Sequence, residues 1–148
     1  MLTFVMIKPA GFLKEFFDAI VAMLKNQGMV IRATHRHVTK ELAEAHYAVH
    51  RGKESFSKMT GYLAGKVVLA LVLEGPDVIE GVRRIVGATW PGQAAPGTIR
   101  HLAAKRFPDE ATVEKLRAEG QYADNLVHAS DSPEAAEMEI KLWFPDLA

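Results

Sequence analysis

His128 stands in the stretch Asn125-Leu126-Val127-His128-Ala129-Ser130-Asp131-Ser132, between a short apolar run and a strong helix start. An imidazole held on rigid backbone at the end of a strand can serve as a nucleophile. A single histidine in such a place is more often a half-buried structural residue, so its companions decide. Glu139 follows Ser132 by seven residues, two helical turns, where its carboxylate could orient the imidazole and fix its tautomer. Lys8 falls where an apolar run ends in Pro9-Ala10-Gly11, a place from which an ammonium can reach a phosphate. Arg83 precedes Gly87-Ala88-Thr89, and Arg100 closes Pro96-Gly97-Thr98-Ile99-Arg100. An arginine fork matches phosphate oxygens, and the Thr89 hydroxyl can join it. Arg84, beside Arg83, is expected to face the other way.

Together these residues form an inventory for phosphoryl transfer. That chemistry needs a neutral imidazole nitrogen to attack in line and cations to hold the charge of the transferred group. No Gly-x-x-x-x-Gly-Lys-Ser/Thr loop and no kinase-type glycine loop occurs, so side chains must hold the phosphates instead of a backbone nest.

The elements that must position these groups can be read from periodicity and punctuation. Thr3 to Lys8 reads as a buried strand, and Phe12 to Gln27 as an amphipathic helix stopped by Gly28. Met29 to Val38 reads as a second strand. Thr39 caps a helix expected from Lys40 to about His50, and another helix is expected from Ser55 to Ala64. Val67 to Leu73 is a continuous apolar run, expected as a central strand buried on both faces. A helix from Asp77 to Val86 follows. Turn residues then open a long ordered loop, which carries its own helix between Pro108 and Gly120. Asn125-Leu126-Val127 reads as a short strand. Ser132 caps a final helix from Pro133 to Trp143 with Ala136, Ile140 and Trp143 on one stripe. The order β-α-β-α-β-α-β-α suits an α+β fold of the ferredoxin-like kind, a sandwich of an antiparallel four-stranded sheet backed by helices. A small parallel α/β sheet is the competing topology.

The totals narrow the function classes. The 148 residues suit one domain with a sizeable core, being 49% hydrophobic. Lys+Arg and Asp+Glu balance at 18 each, so no global charge argues for nucleic acid or an anionic membrane. The absence of cysteine excludes disulfides, thiolate metal sites and a cysteine nucleophile, and fits a cytoplasmic protein. No stretch is long enough to span a membrane.

The pattern resembles a known family, the nucleoside diphosphate kinases. Phe4-Val5-Met6-Ile7-Lys8-Pro9 is similar to the family's N-terminal strand and phosphate-binding lysine, and His46-Tyr47 to its His-Tyr before the nucleotide-clamping helices. Arg83, Gly87-Ala88-Thr89 and Pro96-Gly97-Thr98-Ile99-Arg100 resemble its phosphate-holding helix and loop. Asn125-x-x-His128-x-Ser130-Asp131-Ser132, then Glu137-x-Glu139-Ile140-x-Leu142-Trp143-Phe144, resembles its catalytic segment. The similarity runs from Phe4 to Arg100 and again from Asn125 to Phe144.

The resemblance implies a ping-pong reaction in which His128 takes the γ-phosphate of a nucleoside triphosphate and passes it to a nucleoside diphosphate. It implies that Lys8, Tyr47, Phe56, Arg83, Thr89, Arg100 and Asn125 bind the nucleotide, and that Ser130 and Glu139 orient the imidazole. Mg²⁺ is expected to arrive with the nucleotide, held mainly by its phosphates. A ferredoxin-like fold and a homo-oligomer, a hexamer or else a dimer or tetramer, are implied as well. The rival reading is a catalytically weakened relative that binds nucleotide or a partner.

The sequence also departs from the family. Ser55 stands where an aromatic that stacks on the base is usual, which leaves Phe56 or Tyr122 to supply the ring. Ala10 stands where an aspartate is usual. The chain is expected to be one such kinase-like domain over 1–148 with an inserted helical segment near 101–124. That charged segment could be a lid, an oligomer contact or a solvated decoration, and its composition favours the last two. Of the remaining candidates, His35-x-His37 and the pair His46 and His50 each lack a third zinc ligand at motif spacing. The aromatics that an RNA-binding sheet displays are not seen.

Overall fold

In the computed structural model, which describes residues 1–147, the N-terminal apolar run forms β1 (Leu2–Ile7). It lies inside a four-stranded antiparallel sheet with β2 (Met29–His37), β3 (Val67–Glu74) and β4 (Val127–Ala129), in the order β2-β3-β1-β4. The helices are α1 (Phe17–Lys25), α2 (Lys40–His46), α3 (Glu54–Leu63), α4 (Val78–Val86), α5 (Glu110–Ala118) and α6 (Pro133–Trp143). This is the expected α+β arrangement, and the antiparallel pairing rules out the parallel alternative.

Helices cover both faces of the sheet. On one face Val5, Ile7, Leu69 and Leu71 pack with Ile20 and Leu24 of α1 and Val78 and Val82 of α4. On the other, Phe4, Met6, Val68 and Val72 pack with Ala43 of α2, Leu63 of α3 and Ile140 and Trp143 of α6. The two middle strands β1 and β3 are therefore apolar on both sides, which is why each reads as a run and not as an alternation.

Three elements differ from the sequence reading. The first helix does not begin at Phe12. Pro9–Phe12 makes a 3-10 turn and α1 starts at Phe17. Gly11 explains the break, because a Cβ there would lie 2.6 Å from Ile7 Cγ2 and 2.9 Å from the Leu126 carbonyl. The backbone is pressed onto the sheet at that point, and periodicity carries no signal of it. The helix expected over Lys40 to His50 breaks at Tyr47 into α2 and a 3-10 turn, Ala48–His50. Finally, the last strand starts at Val127, not Asn125, so His128 is its middle residue. Leu126 is fully buried with φ 76, a left-handed conformation that costs about 1–3 kcal/mol in a non-glycine residue. Its N–H donates to Asp124 Oδ1 at 2.8 Å, and its carbonyl accepts from Lys8 N–H at 2.8 Å. Those two bonds hold the kink.

α6 spans the residues expected, with Ser132 Oγ accepting from the Ala135 N–H at 3.0 Å. No helix among the described residues is long and apolar enough to cross a membrane.

Candidate active site

Strand register assembles the centre of the site. Met6 faces His128 across the β1–β4 ladder, and Ile7 faces Val127. Opposed residues share a face, so His128 lies with Phe4 and Met6 on the side covered by α2 and α6. Lys8, two residues past Met6, follows on the same face. The Leu126 kink turns Asn125 toward it, and Lys8 Nζ donates to Asn125 Oδ1 at 2.8 Å. Asn125 Nδ2 in turn donates to the Thr89 carbonyl at 2.8 Å. Asn125 thus ties the strand to the loop after α4.

α6 brings in the carboxylate. Glu139 Oε2 lies 3.0 Å from His128 Nε2, and Oε1 accepts from Ser130 Oγ at 2.6 Å. An ionised carboxylate only accepts, so Nε2 carries the proton and Nδ1 keeps its lone pair. Burial, with the charges of Lys8, Arg100 and Arg83, pushes the His128 imidazole down to about 3. The ring is neutral at neutral pH. Ser130 does not touch the imidazole; it holds the second oxygen of Glu139. Burial raises Glu139, with the Ser130 hydrogen bond opposing.

The cations lie around this nitrogen. Arg100 is buried, donating from its two terminal nitrogens to the carbonyls of Gly87 at 3.2 Å and Val127 at 2.8 Å. Its Nε has no partner. Burial and nearby Arg83 lower it to about 10, still charged at neutral pH. Lys8 is lowered to about 7 by burial and by Arg100, with Asp124 opposing. Arg83 is exposed on α4 and donates to the Ala129 carbonyl at 3.5 Å. Tyr47 is buried at the end of α2, where burial pushes its hydroxyl well above the usual phenol range. Lys8, Tyr47, Arg83, Thr89, Arg100, Asn125, His128 and Glu139 line one cleft of about 1260 Å³. Arg84 is not among its lining residues.

Phe56 is not brought to the cleft. It packs against the second core under the Arg51 guanidinium, 5.3 Å from its ring centroid. Tyr122 is exposed beside Lys66 and also lies outside. Ser55, Lys58 and Met59 of α3 line one wall of the cleft. Opposite them stands α5, contributing Glu110, Val113, Glu114 and Arg117. Lys58 Nζ lies 2.5 Å from Glu114 Oε1, and the Arg117 guanidinium sits 3.7 Å from the centroid of the Tyr62 ring. The segment read from its charge as a solvated decoration or an oligomer contact is therefore part of the cleft. Its charged residues face the opening while Val113 is buried in the first core.

Sequence reasoning missed Asp124. Its Oδ2 accepts from the Ala10 N–H at 2.9 Å and the Tyr62 hydroxyl at 2.7 Å, while Oδ1 takes the Leu126 N–H. It supplies a carboxylate at the turn where Ala10 replaces the aspartate. Nothing in the sequence marks a lone aspartate for this. His46, which with His50 lacked a third zinc ligand at motif spacing, is buried, and its ring meets that of His128 edge to face with centroids 4.4 Å apart.

A nucleoside diphosphate kinase family model matches residues 2–148. The chain belongs to that family. A nucleoside diphosphate kinase of Moorella thermoacetica is 42% identical over 143 residues, covering 96% of this chain and 92% of that protein. One of Archaeoglobus fulgidus is 41% identical, covering 97% and 86%. Among solved structures, a transition-state mimic of the Borrelia burgdorferi nucleoside diphosphate kinase with vanadate and ADP superposes with a TM-score of 0.81 at 28% identity, over 99% of this chain and 88% of that one. A halophilic family member from Halobacterium salinarum in complex with CDP gives 0.75 at 33% identity, over 97% and 87%.

For a nucleoside diphosphate kinase, whose substrate is expected to carry Mg²⁺, the donor set of the cleft can be tested. A hard cation needs several oxygen ligands. Glu139 and Asp124 are committed to protein donors, and Asp131 is the exposed carboxylate near His128. Beside His128 the one open carboxylate, Asp131, stands among Lys8, Arg83 and Arg100, and Glu110 and Glu114 on α5 form no cluster with it, which fits a metal carried by the nucleotide's phosphates, not a resident cage.

Proposed function

We infer that this protein transfers the γ-phosphate of a nucleoside triphosphate to a nucleoside diphosphate through a phosphohistidine on His128. The observation that carries the reading is the 3.0 Å hydrogen bond between His128 Nε2 and the Glu139 carboxylate, which assigns the proton to Nε2 and leaves Nδ1 unprotonated near the charges of Lys8, Arg100 and Arg83. Nδ1 attacks the γ-phosphorus in line, an N–P bond forms, and the bond from the γ-phosphorus to the bridging oxygen breaks. The diphosphate leaves with that oxygen. The ring then carries positive charge, which the Glu139 carboxylate offsets through Nε2–H. A second nucleoside diphosphate reverses the step and restores the neutral ring. Lys8, Arg83, Arg100 and Thr89 hold phosphate oxygens, and Tyr47 donates its hydroxyl. Asn125 keeps Lys8 and the Thr89 loop in register. Mg²⁺ arriving with the nucleotide, which Asp131 could help to hold, would neutralise phosphate charge.

The same reading takes the chain as one kinase domain with residues 101–124 inserted, acting in the cytoplasm as a homo-oligomer, a hexamer or else a dimer or tetramer. The edge strand β2 supports self-association, since its free side is exposed along much of its length. The catalytic reading is tested with γ-labelled ATP and Mg²⁺. Label that survives alkali and is lost in acid is expected on the wild-type chain and absent from His128→Ala. Equal labelling of the two would overturn it.

A further inference from the structure

The site contains a second buried imidazole that the transfer does not use. His46 ends α2, is 8% exposed, and stands between Trp143 and His128. Trp143 Nε1–H donates to His46 Nδ1 at 3.0 Å. An indole nitrogen can only donate, so Nδ1 must be the unprotonated nitrogen. Burial, with His128 next, lowers His46 to about 3, so the ring is neutral and its single proton sits on Nε2. That Nε2–H is buried and has no hydrogen-bond partner. A buried unpaired donor is costly, and its retention calls for a reason.

The geometry supplies the requirement. The rings of His46 and His128 meet at 81°, edge to face, with centroids 4.4 Å apart. Phe4 closes another side, 6.0 Å from His128 and 5.9 Å from His46. His128 needs such support, because its only polar restraint is the bond from Nε2 to Glu139, about which an imidazole can still tilt. A tilt would carry Nδ1 off the line of transfer, and a misplacement of about 1 Å can cost on the order of a hundredfold in rate.

We propose that His46 is a positioning residue for phosphoryl transfer: anchored by the Trp143 indole, its ring stands edge-on to His128 and fixes the plane in which Nδ1 meets the phosphorus. The alternative for this cluster is a transition metal, since ligand atoms of His46, His128 and Glu139 lie within 4.8 Å of one another. A metal there would have to take His46 either at Nδ1, displacing Trp143, or at Nε2, displacing its proton. The hydrogen bonds present favour the ring-support role.

The proposal rests on the phosphohistidine reading, and two variants isolate it. His46→Asn keeps an acceptor near the Nδ1 position for Trp143 but removes the ring. His46→Phe keeps a ring but leaves Trp143 without its acceptor. A positioning ring predicts that His46→Asn forms phosphohistidine about 10–100-fold more slowly at saturating ATP, with nucleotide Kd unchanged, and that His46→Phe recovers most of the rate. A residue that merely anchors Trp143 predicts the reverse: His46→Asn spared, His46→Phe impaired. That reversal, or an unchanged rate in His46→Asn, overturns the proposal. Imidazole ¹⁵N spectra of the wild-type protein give a readout that no folding defect can mask. His46 and His128 should both appear as neutral Nε2–H tautomers. A His46 protonated on Nδ1, or one whose signals shift on adding stoichiometric Zn²⁺ while Trp143 loses its hydrogen bond, sinks it. If wild-type protein forms no phosphohistidine, the functional reading fails and not this inference alone.

Discussion

The two ends of the cleft are built by different means. At the His128 end the polar side chains are tied to the sheet or to backbone beside it. Lys8 binds Asn125, Asn125 binds the Thr89 loop, Arg100 binds the carbonyls of Gly87 and Val127, and Glu139 binds Ser130. At the other end α3 and α5 face each other across an exposed Lys58–Glu114 pair, with Ser55 where a stacking ring was expected. Exposed ion pairs add little and are screened by salt, whereas buried ties hold side chains to a fraction of an ångström. The difference teaches where precision is built: around His128, where the bond forms and breaks, and not along the wall between α3 and α5.

The sharpest way to break this comparison is to remove a buried cation. Arg100→Ala deletes the group that bonds both the last strand, at the Val127 carbonyl, and the Gly87 turn. Loss of one preorganised donor of developing charge costs about 10²–10³ in rate. Arg100→Ala should lose that much in single-turnover phosphorylation, and Arg100→Lys should recover little, since an ammonium cannot bond both carbonyls and a phosphate. A loss below tenfold in a fully folded Arg100→Ala would mean that the His128 end is no more exacting than the other.

A smaller effect should appear in the pH profile. Lys8, lowered to about 7, is charged below that pH and neutral above it in the free protein. Anion binding favours the charged form, so kcat/KM should fall as pH rises through about 7, and nucleotide binding above it should take up a proton. Lys8→Arg stays charged throughout and should lack this limb. The nucleotide's own titration is common to both proteins and cancels in their ratio. The His128 ring, pushed down to about 3, should add no acid limb near neutrality. An identical alkaline limb in Lys8→Arg would show that another group carries it.

Much of the His128 end was legible in the sequence because its residues lie at strand and helix ends that hydrophobic periodicity marks. Lys8 follows a buried run, and Glu139 sits on a helix whose cap and stripe could be counted from Ser132 to Trp143. What was not legible arises from tertiary contact. The φ of Leu126 depends on Asp124 accepting its N–H, and the late start of α1 depends on Gly11 touching Ile7. His46 carries its meaning only once α2 and α6 lie on the same sheet face. The wall between α3 and α5 was half legible: Glu110 and Glu114 read as solvent-exposed and are so, but they also line an open cleft, which their charge alone does not tell.

The smallest expected effect concerns that wall. Ser55 is exposed on α3 and lines the cleft, so Ser55→Phe adds a ring to that wall. Stacking of a base on an aromatic is worth about 1–3 kcal/mol, and an exposed ring should sit at the low end. The expected outcome is a KM for nucleoside diphosphates lowered about fivefold, similar across bases because every base presents a π-face. The rate of phosphohistidine formation at saturating ATP should not change, since Ser55 touches none of the ties around His128. If Ser55→Phe alters that rate, the two ends are coupled through α3 and the division drawn between them fails. If it leaves KM unchanged, the ligand's base does not pass beside Ser55, and the wall formed by Lys58, Met59 and α5 directs it elsewhere in the cleft.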